Sequence, residues 1–178
     1  MDFKNKTVFI TGGSRGIGLA IAQKLASEGA NVIIAAKTAE PHPKLQGTIF
    51  SAAAEIEAAG GRVLPCVVDI RDENQVLEAV EKAVQTFGGI DVLINNAFYI
   101  SGQDPENMTD EEWFMGIDGT LSSTFRCIRE IIPYFKKQSS GKIINVSSIY
   151  GIASPDFTIY EQFPQFLNPP HYGAAKEG

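Results

Sequence analysis

The chain has 178 residues, 44% of them hydrophobic and 20% charged, enough for one domain with a buried core. Fifteen Lys and Arg stand against 21 Asp and Glu, and the resulting formal charge of −6 argues against nucleic acid or an anionic membrane as a partner. Two cysteines (Cys66, Cys127) make no disulfide framework, two histidines (His42, His171) show no zinc spacing and so no metal is expected, and no apolar run approaches a membrane span.

The opening MDFKNKTVFITGG enters an apolar strand at once and shows no small-residue cleavage site, so no signal peptide is read. A reduced, cytoplasmic protein is the expectation. Strand-like and helix-like segments then alternate. Val8–Ile10 is a first strand, followed by a glycine-rich turn. Ile17, Ala20, Ile21 and Leu25 recur at helical spacing over 16–28, and Gly29 stops that helix. Val32–Ala35 reads as a buried strand, and Lys37–Gly47, with two prolines and little periodicity, as a loop. A helix over 48–59 ends at Gly60-Gly61. A third strand, 63–68, precedes a helix over 74–87 that ends at Gly88-Gly89. Val92–Ile94 is a fourth strand. Residues 109–135 read as mostly helical, with Thr109 and Glu112 as a capping box. Ile143–Val146 is a fifth strand. Continuously apolar strands joined by helices predict a doubly wound parallel α/β sheet, taken as one domain over 1–178. Ligands bind such sheets outside the carboxyl ends of the strands.

After the first strand stands TGGSRGIG, with Gly12, Ser14, Arg15, Gly16, Ile17 and Gly18 as candidate nucleotide-binding residues. Glycine lets backbone approach a diphosphate, and the following helix supplies free N–H groups and a positive dipole end. A bare strand-to-helix turn and the glycine turn of an S-adenosylmethionine methyltransferase are the rivals. The second strand ends Ala35-Ala36-Lys37, with no acid to hold ribose hydroxyls. Lys37 and the Arg15 fork would both attract a 2′-phosphate, so NADP is favoured over NAD. Asp69-Ile70 after the third strand and Asn95-Asn96-Ala97 after the fourth are candidates for the adenosine side. Asp69 reads equally well as a helix N-cap, and Asn95 as a strand-tying amide.

The fifth strand runs into Ser147-Ser148, and Tyr172-Gly173-Ala174-Ala175-Lys176 stands near the end. Tyrosine and lysine four apart share one helix face, and the ammonium stabilises phenolate. A phenol so tuned can give or take the proton when a carbonyl and an alcohol interconvert by hydride transfer. The Ser148 hydroxyl can hold the substrate oxygen.

In this order the motifs resemble the short-chain dehydrogenase/reductase family. TGGSRGIG matches its cofactor turn, Asp69 its adenine-side aspartate, Asn95-Asn96-Ala97 most of its NNAG motif, and Ser148, Tyr172 and Lys176 its catalytic trio. The resemblance implies a Rossmann fold, a nicotinamide cofactor and a small carbonyl or alcohol substrate. Tyr172 would be the acid/base, Lys176 would lower its pKa and hold the nicotinamide ribose, and Ser148 would orient the substrate. Residues 35–61 resemble the hydroxysteroid dehydrogenase-like branch; the segment GIDGTLSSTFRCIREIIPYF and the loop before Tyr172 are more similar to bacterial members acting on sugar acids or sugar nucleotides.

Four departures from the family pattern stand out. Phe98 replaces the last glycine of NNAG. Thr120 falls where the family has a catalytic asparagine whose backbone carbonyl anchors a relay water. The span from Ser148 to Tyr172 is long, with Phe157, Tyr160, Phe163, Phe166 and Leu167 in its excess, either as an apolar lid or as a surface excursion. The chain stops at Gly178, before the family's last strands and substrate cover, which predicts an incomplete sheet edge, a fraying Lys176 turn, and a poorly soluble or homo-oligomeric chain. A non-catalytic nucleotide-binding remnant of the same fold is the alternative.

Overall fold

A computed structural model describes residues 3–43, 46–102, 104–163 and 167–178. In chain order the elements are β1 (Thr7–Thr11), α1 (Gly16–Ser27), β2 (Asn31–Ala36), α2 (Ile49–Ala58), β3 (Arg62–Val67), α3 (Glu73–Phe87), β4 (Val92–Asn95), α4 (Asp110–Ile117), α5 (Ser123–Gln138), β5 (Lys142–Asn145) and α6 (Pro170–Glu177). A π-helical turn, Asp118–Ser122, joins α4 to α5. By packing, the chain divides into two compact units. One is Met1–Ala97 with Arg126–Asn145; the other is Phe98–Phe125 with Val146–Gly178.

The first unit is the doubly wound sheet. All pairings are parallel, in the order β3-β2-β1-β4-β5. Every residue of β1, β2 and β4 is buried, as continuous apolar runs require when both faces are covered. The edge strands differ. β3 carries Pro65, which an edge tolerates, and β5 is exposed along its whole length. Side chains alternate across the sheet. Phe9, Ile33, Ala35 and Leu93 pack with Val76, Val80 and Ala83 of α3 and with Cys127 and Ile131 of α5. On the other face α1 lies beside α2, joined by a Gln23–Glu55 hydrogen bond of 2.9 Å.

Boundaries follow local chemistry. Thr48 caps α2 with a reciprocal bond to Ser51, Asp72 caps α3, and Thr109 with Glu112 forms the expected box on α4. β5 runs one residue earlier than the sequence suggests, in register with Val92–Asn95 of β4.

The second unit is built on α4, the π turn and α6. A 3₁₀ turn, Ile149–Gly151, packs against α6, and another, Phe157–Tyr160, is capped by Asp156.

Candidate functional site

The order of strands reverses between β1 and β4, so the loops leaving these strands mark the crevice of the sheet unit. The Thr11 hydroxyl accepts from the Asn96 and Ala97 N–H groups at 3.1 and 3.0 Å. Asn96 Nδ2 donates to the carbonyls of Thr11 and Gly12 at 3.0 and 3.2 Å. These bonds fix the glycine turn against the end of β4. Gly12 has φ +70, and a Cβ on Gly18 would lie 2.2 Å from the Gly12 carbonyl, so both positions require glycine. At Gly16 there is open space instead: nothing lies within 4 Å of where a Cβ would stand.

The start of α1 has no side-chain cap, unlike α2, α3 and α4. Its first N–H groups therefore remain as donors beside the open space at Gly16. A diphosphate fits this end of the unit: glycine cradle, free donors, and Ser14 buried beneath.

Arg15 is partly committed. Its Nη2 donates to the Gly47 carbonyl at 2.8 Å, leaving the rest of the guanidinium fork for other acceptors. Ile17 is exposed on the first turn of α1.

Asp69 does not cap α3, since Asp72 does. Arg71 grips it instead, through Nε at 3.0 Å and Nη2 at 2.7 Å. The Arg71 hydrogen bond holds the Asp69 carboxyl below the usual carboxylate range, against the effect of burial, and the Lys37 charge adds to it. Ile70 lies between them, half-buried against the core. Arg71 is a cation that sequence reasoning missed; its signal was its place two residues after Asp69.

Asn95 makes a strand-tying bond. It is buried, and Nδ2 donates to Asn145 Oδ1 at 2.9 Å, bridging β4 and β5.

The second unit carries Tyr172 and Lys176 on one face of α6. Lys176 Nζ stands 5.8 Å from the Tyr172 ring centroid and donates to the Val146 carbonyl at 2.6 Å. Ser147 Oγ donates to the Lys176 carbonyl at 2.7 Å, so the last turn of α6 is tied down. Burial lowers the Lys176 pKa. Among the described residues the Tyr172 hydroxyl has no hydrogen-bond partner.

Ser148 caps the first 3₁₀ turn, its Oγ accepting from the Tyr150 N–H at 3.2 Å. The Thr120 hydroxyl is occupied: it accepts from the Tyr99 N–H at 3.3 Å and donates to the Tyr99 carbonyl at 3.1 Å.

Phe98 lies edge-on to Tyr172, with ring centroids 5.5 Å apart. His171, which the sequence reading set aside for lack of metal spacing, is fully buried, with Nε2 2.7 Å from the Ser101 carbonyl.

The described part of the long loop packs beside α6. With Tyr150, Gly173, Ala174 and Glu177 it lines a groove of about 550 Å³ on the flank of α6 that Tyr172 and Lys176 do not occupy. Tyr150 and Tyr160 join by their hydroxyls at 2.9 Å. Phe166 lies outside the described residues.

Comparison with known proteins places this architecture. Residues 6–161 match the family model described as short chain dehydrogenase. Hydroxysteroid dehydrogenase-like protein 2 of Xenopus tropicalis is 58% identical over 143 residues, covering 79% of this chain and 34% of that protein. The Homo sapiens protein of the same description is 53% identical over 141 residues, again 34% of its length. The chain thus spans about a third of these curated relatives. A short chain dehydrogenase from Mycobacterium thermoresistibile superposes with a TM-score of 0.81 at 43% identity, over 98% of this chain and 59% of that one. An NAD+-bound xylitol dehydrogenase gives 0.82 at 25% identity, over 99% and 62%.

Proposed function

The chain belongs to the short-chain dehydrogenase family, and on that premise we propose that it serves an NADP(H)-preferring oxidoreductase that interconverts a carbonyl and an alcohol. The observation that carries this reading is the pairing on α6: a phenol whose hydroxyl has no hydrogen-bond partner among the described residues, and an ammonium 5.8 Å from its ring centroid anchored on Val146. The sheet unit would hold the nucleotide, with Gly12, Ser14, Gly16, Ile17 and Gly18 at the diphosphate and Asp69, Ile70, Asn95, Asn96 and Ala97 along the adenosine. The chemistry such a cofactor would supply when bound is hydride donation or acceptance.

The remaining chemistry belongs to this chain's own side chains. The Tyr172 hydroxyl holds the proton that the substrate oxygen gains or loses. The Lys176 ammonium would stabilise the phenolate left behind and, as the resemblance implies, hold a nicotinamide ribose. The Ser148 Oγ, spending one lone pair on Tyr150, still has a proton to donate to the substrate oxygen. Thr120 would act through its backbone carbonyl, which also accepts from the Thr124 and Ser123 hydroxyls at 3.0 and 3.3 Å, since its own hydroxyl is committed to Tyr99.

The NADP preference rests on β2 ending in Ala35-Ala36-Lys37 without an acid, and on the unspent part of the Arg15 fork. The free, buried cysteines suit a reducing compartment such as the cytoplasm. The resemblance to hydroxysteroid dehydrogenase-like proteins and to a xylitol dehydrogenase leaves a small alcohol or carbonyl compound as the substrate class.

A second reading, nucleotide binding without catalysis, is favoured by one observation: the Phe98 ring already packs on Tyr172. Tyr172→Phe separates the two. In an NADPH-oxidation assay over a panel of aldehydes and ketones, the enzyme reading expects a loss of at least about 100-fold in kcat. An unchanged rate, or a folded wild type that turns over nothing, overturns it in favour of the second.

A further inference from the structure

We propose that Phe98 determines substrate specificity: held as a fixed aromatic wall beside Tyr172, it selects carbonyl compounds with a flat apolar substituent over polyhydroxylated ones. This deepens the oxidoreductase reading and rests on it. Three observations in the second unit carry it.

The first is placement. Phe98 meets Tyr172 edge-on at 5.5 Å, and the Lys176 Nζ lies 5.9 Å from its ring centroid, almost the same distance as from Tyr172. The ammonium is shared between two rings, which fixes both of them relative to it.

The second is rigidity. Thr120 holds both backbone groups of Tyr99, the next residue. Two residues further on, Ser101 is held by His171, whose Nε2 lies 2.7 Å from its carbonyl. His171 is fully buried, and a Cβ on Gly116 would fall 2.2 Å from its Nδ1, so the imidazole is seated directly on the backbone of α4. Because His171 immediately precedes Tyr172, the same clamp joins the Phe98 segment to the phenol it flanks.

The third is exposure. Phe98 remains 52% exposed even though its ring packs on Tyr172 and Lys176. Its free surface is therefore apolar surface next to the acid/base phenol. A ligand carbonyl at Tyr172 brings its substituent against that surface. A flat apolar group gains by burying it, whereas a polyol must lose hydration without finding hydrogen-bond partners.

The test compares acetophenone with dihydroxyacetone in wild type, Phe98→Ser and Phe98→Leu, each checked for native circular dichroism. Two readouts are taken: NADPH-dependent kcat/KM, and binding to the nucleotide-free chain by saturation-transfer NMR. The expected result is a wild-type preference for acetophenone of about tenfold or more that falls about fivefold or more in Phe98→Ser, through KM and not kcat, and survives in Phe98→Leu. A preference unchanged in Phe98→Ser overturns the proposal, as does a wild type that binds neither ketone. If the NMR preference follows Phe98 while no variant turns over either ketone, Phe98 is supported as the recognising surface and the oxidoreductase reading is the one that fails.

Discussion

Lys176 donates from Nζ to the carbonyl oxygen of Val146 at 2.6 Å, tying α6 to the chain that leaves β5. The bond aims the ammonium at the rings of Tyr172 and Phe98. Lys176→Met should therefore lower kcat by about 100-fold or more while leaving the fold intact, as checked by steady-state kinetics and circular dichroism.

Burial lowers the Lys176 pKa below the usual 10.5. Between that depressed value and 10.5 the unfolded chain holds more protons than the folded one, so this group's contribution to stability rises with pH across the window. Denaturant midpoints measured from neutral to alkaline pH should show this rise relative to Lys176→Met. A parallel pair of curves would contradict it.

Asp69 has the same sign, in the acidic range. Its folded pKa lies below the unfolded one, chiefly through the Arg71 hydrogen bond. Its stabilisation is complete above the unfolded carboxyl range near pH 4 and is lost as pH falls through the depressed folded value. The pair is partly exposed, so Arg71→Ala should remove about 1 kcal/mol or less at neutral pH. Most of the difference between the two proteins should vanish at low pH.

Gly116→Ala would drive a Cβ into the His171 imidazole, with three ring atoms at 2.2 to 2.4 Å. Overpacking of this kind costs about 1–3 kcal/mol, read as a lower urea midpoint. Thr120→Val keeps the shape and removes the hydroxyl that bonds both backbone groups of Tyr99, for a loss of about 1–3 kcal/mol, whereas Thr120→Ser should stay near wild type.

Burial raises both thiols, that of Cys127 to about 12, with desolvation the main cause in each. A thiol reagent at neutral pH should leave the native chain unmodified over minutes and titrate two thiols in denaturant. Rapid native labelling would contradict the buried core around Cys127 and Ile131.

The sheet was legible because its signals are periodic and local. Apolar runs at Val8–Ile10, Val32–Ala35 and Val92–Ile94 mark strands buried on both faces, and Thr109 with Glu112 marks the start of α4. The candidate residues at the glycine turn and on α6 were legible because close backbone approach and an i, i+4 pair leave a pattern in the sequence. What was hidden depends on tertiary partners. A lone histidine gives no sign that it will bury against Gly116 and bind Ser101. Arg71 could be seen as a cation but not as the grip on Asp69. The Asp118–Ser122 π turn follows from no residue preference and adds a residue to the helix ladder between α4 and α5, in the turn that carries Thr120. Asn95 and Asn96 read as ligand-lining amides, but nothing in the sequence tells that they also tie β4 to β5 and hold the glycine turn.

The most direct measurement is a calorimetric titration of the chain with NADPH and NADH, beside Gly16→Asp. Gly16 has φ +55 and open space around it, and aspartate tolerates both that backbone and a helix N-terminus, so the variant should fold. Its carboxylate would stand where the diphosphate is proposed to bind. Saturable binding, tighter for NADPH and lost in Gly16→Asp, is the predicted result. A folded wild type that binds neither nucleotide, or a Gly16→Asp variant that binds NADPH as tightly as wild type, would contradict the account.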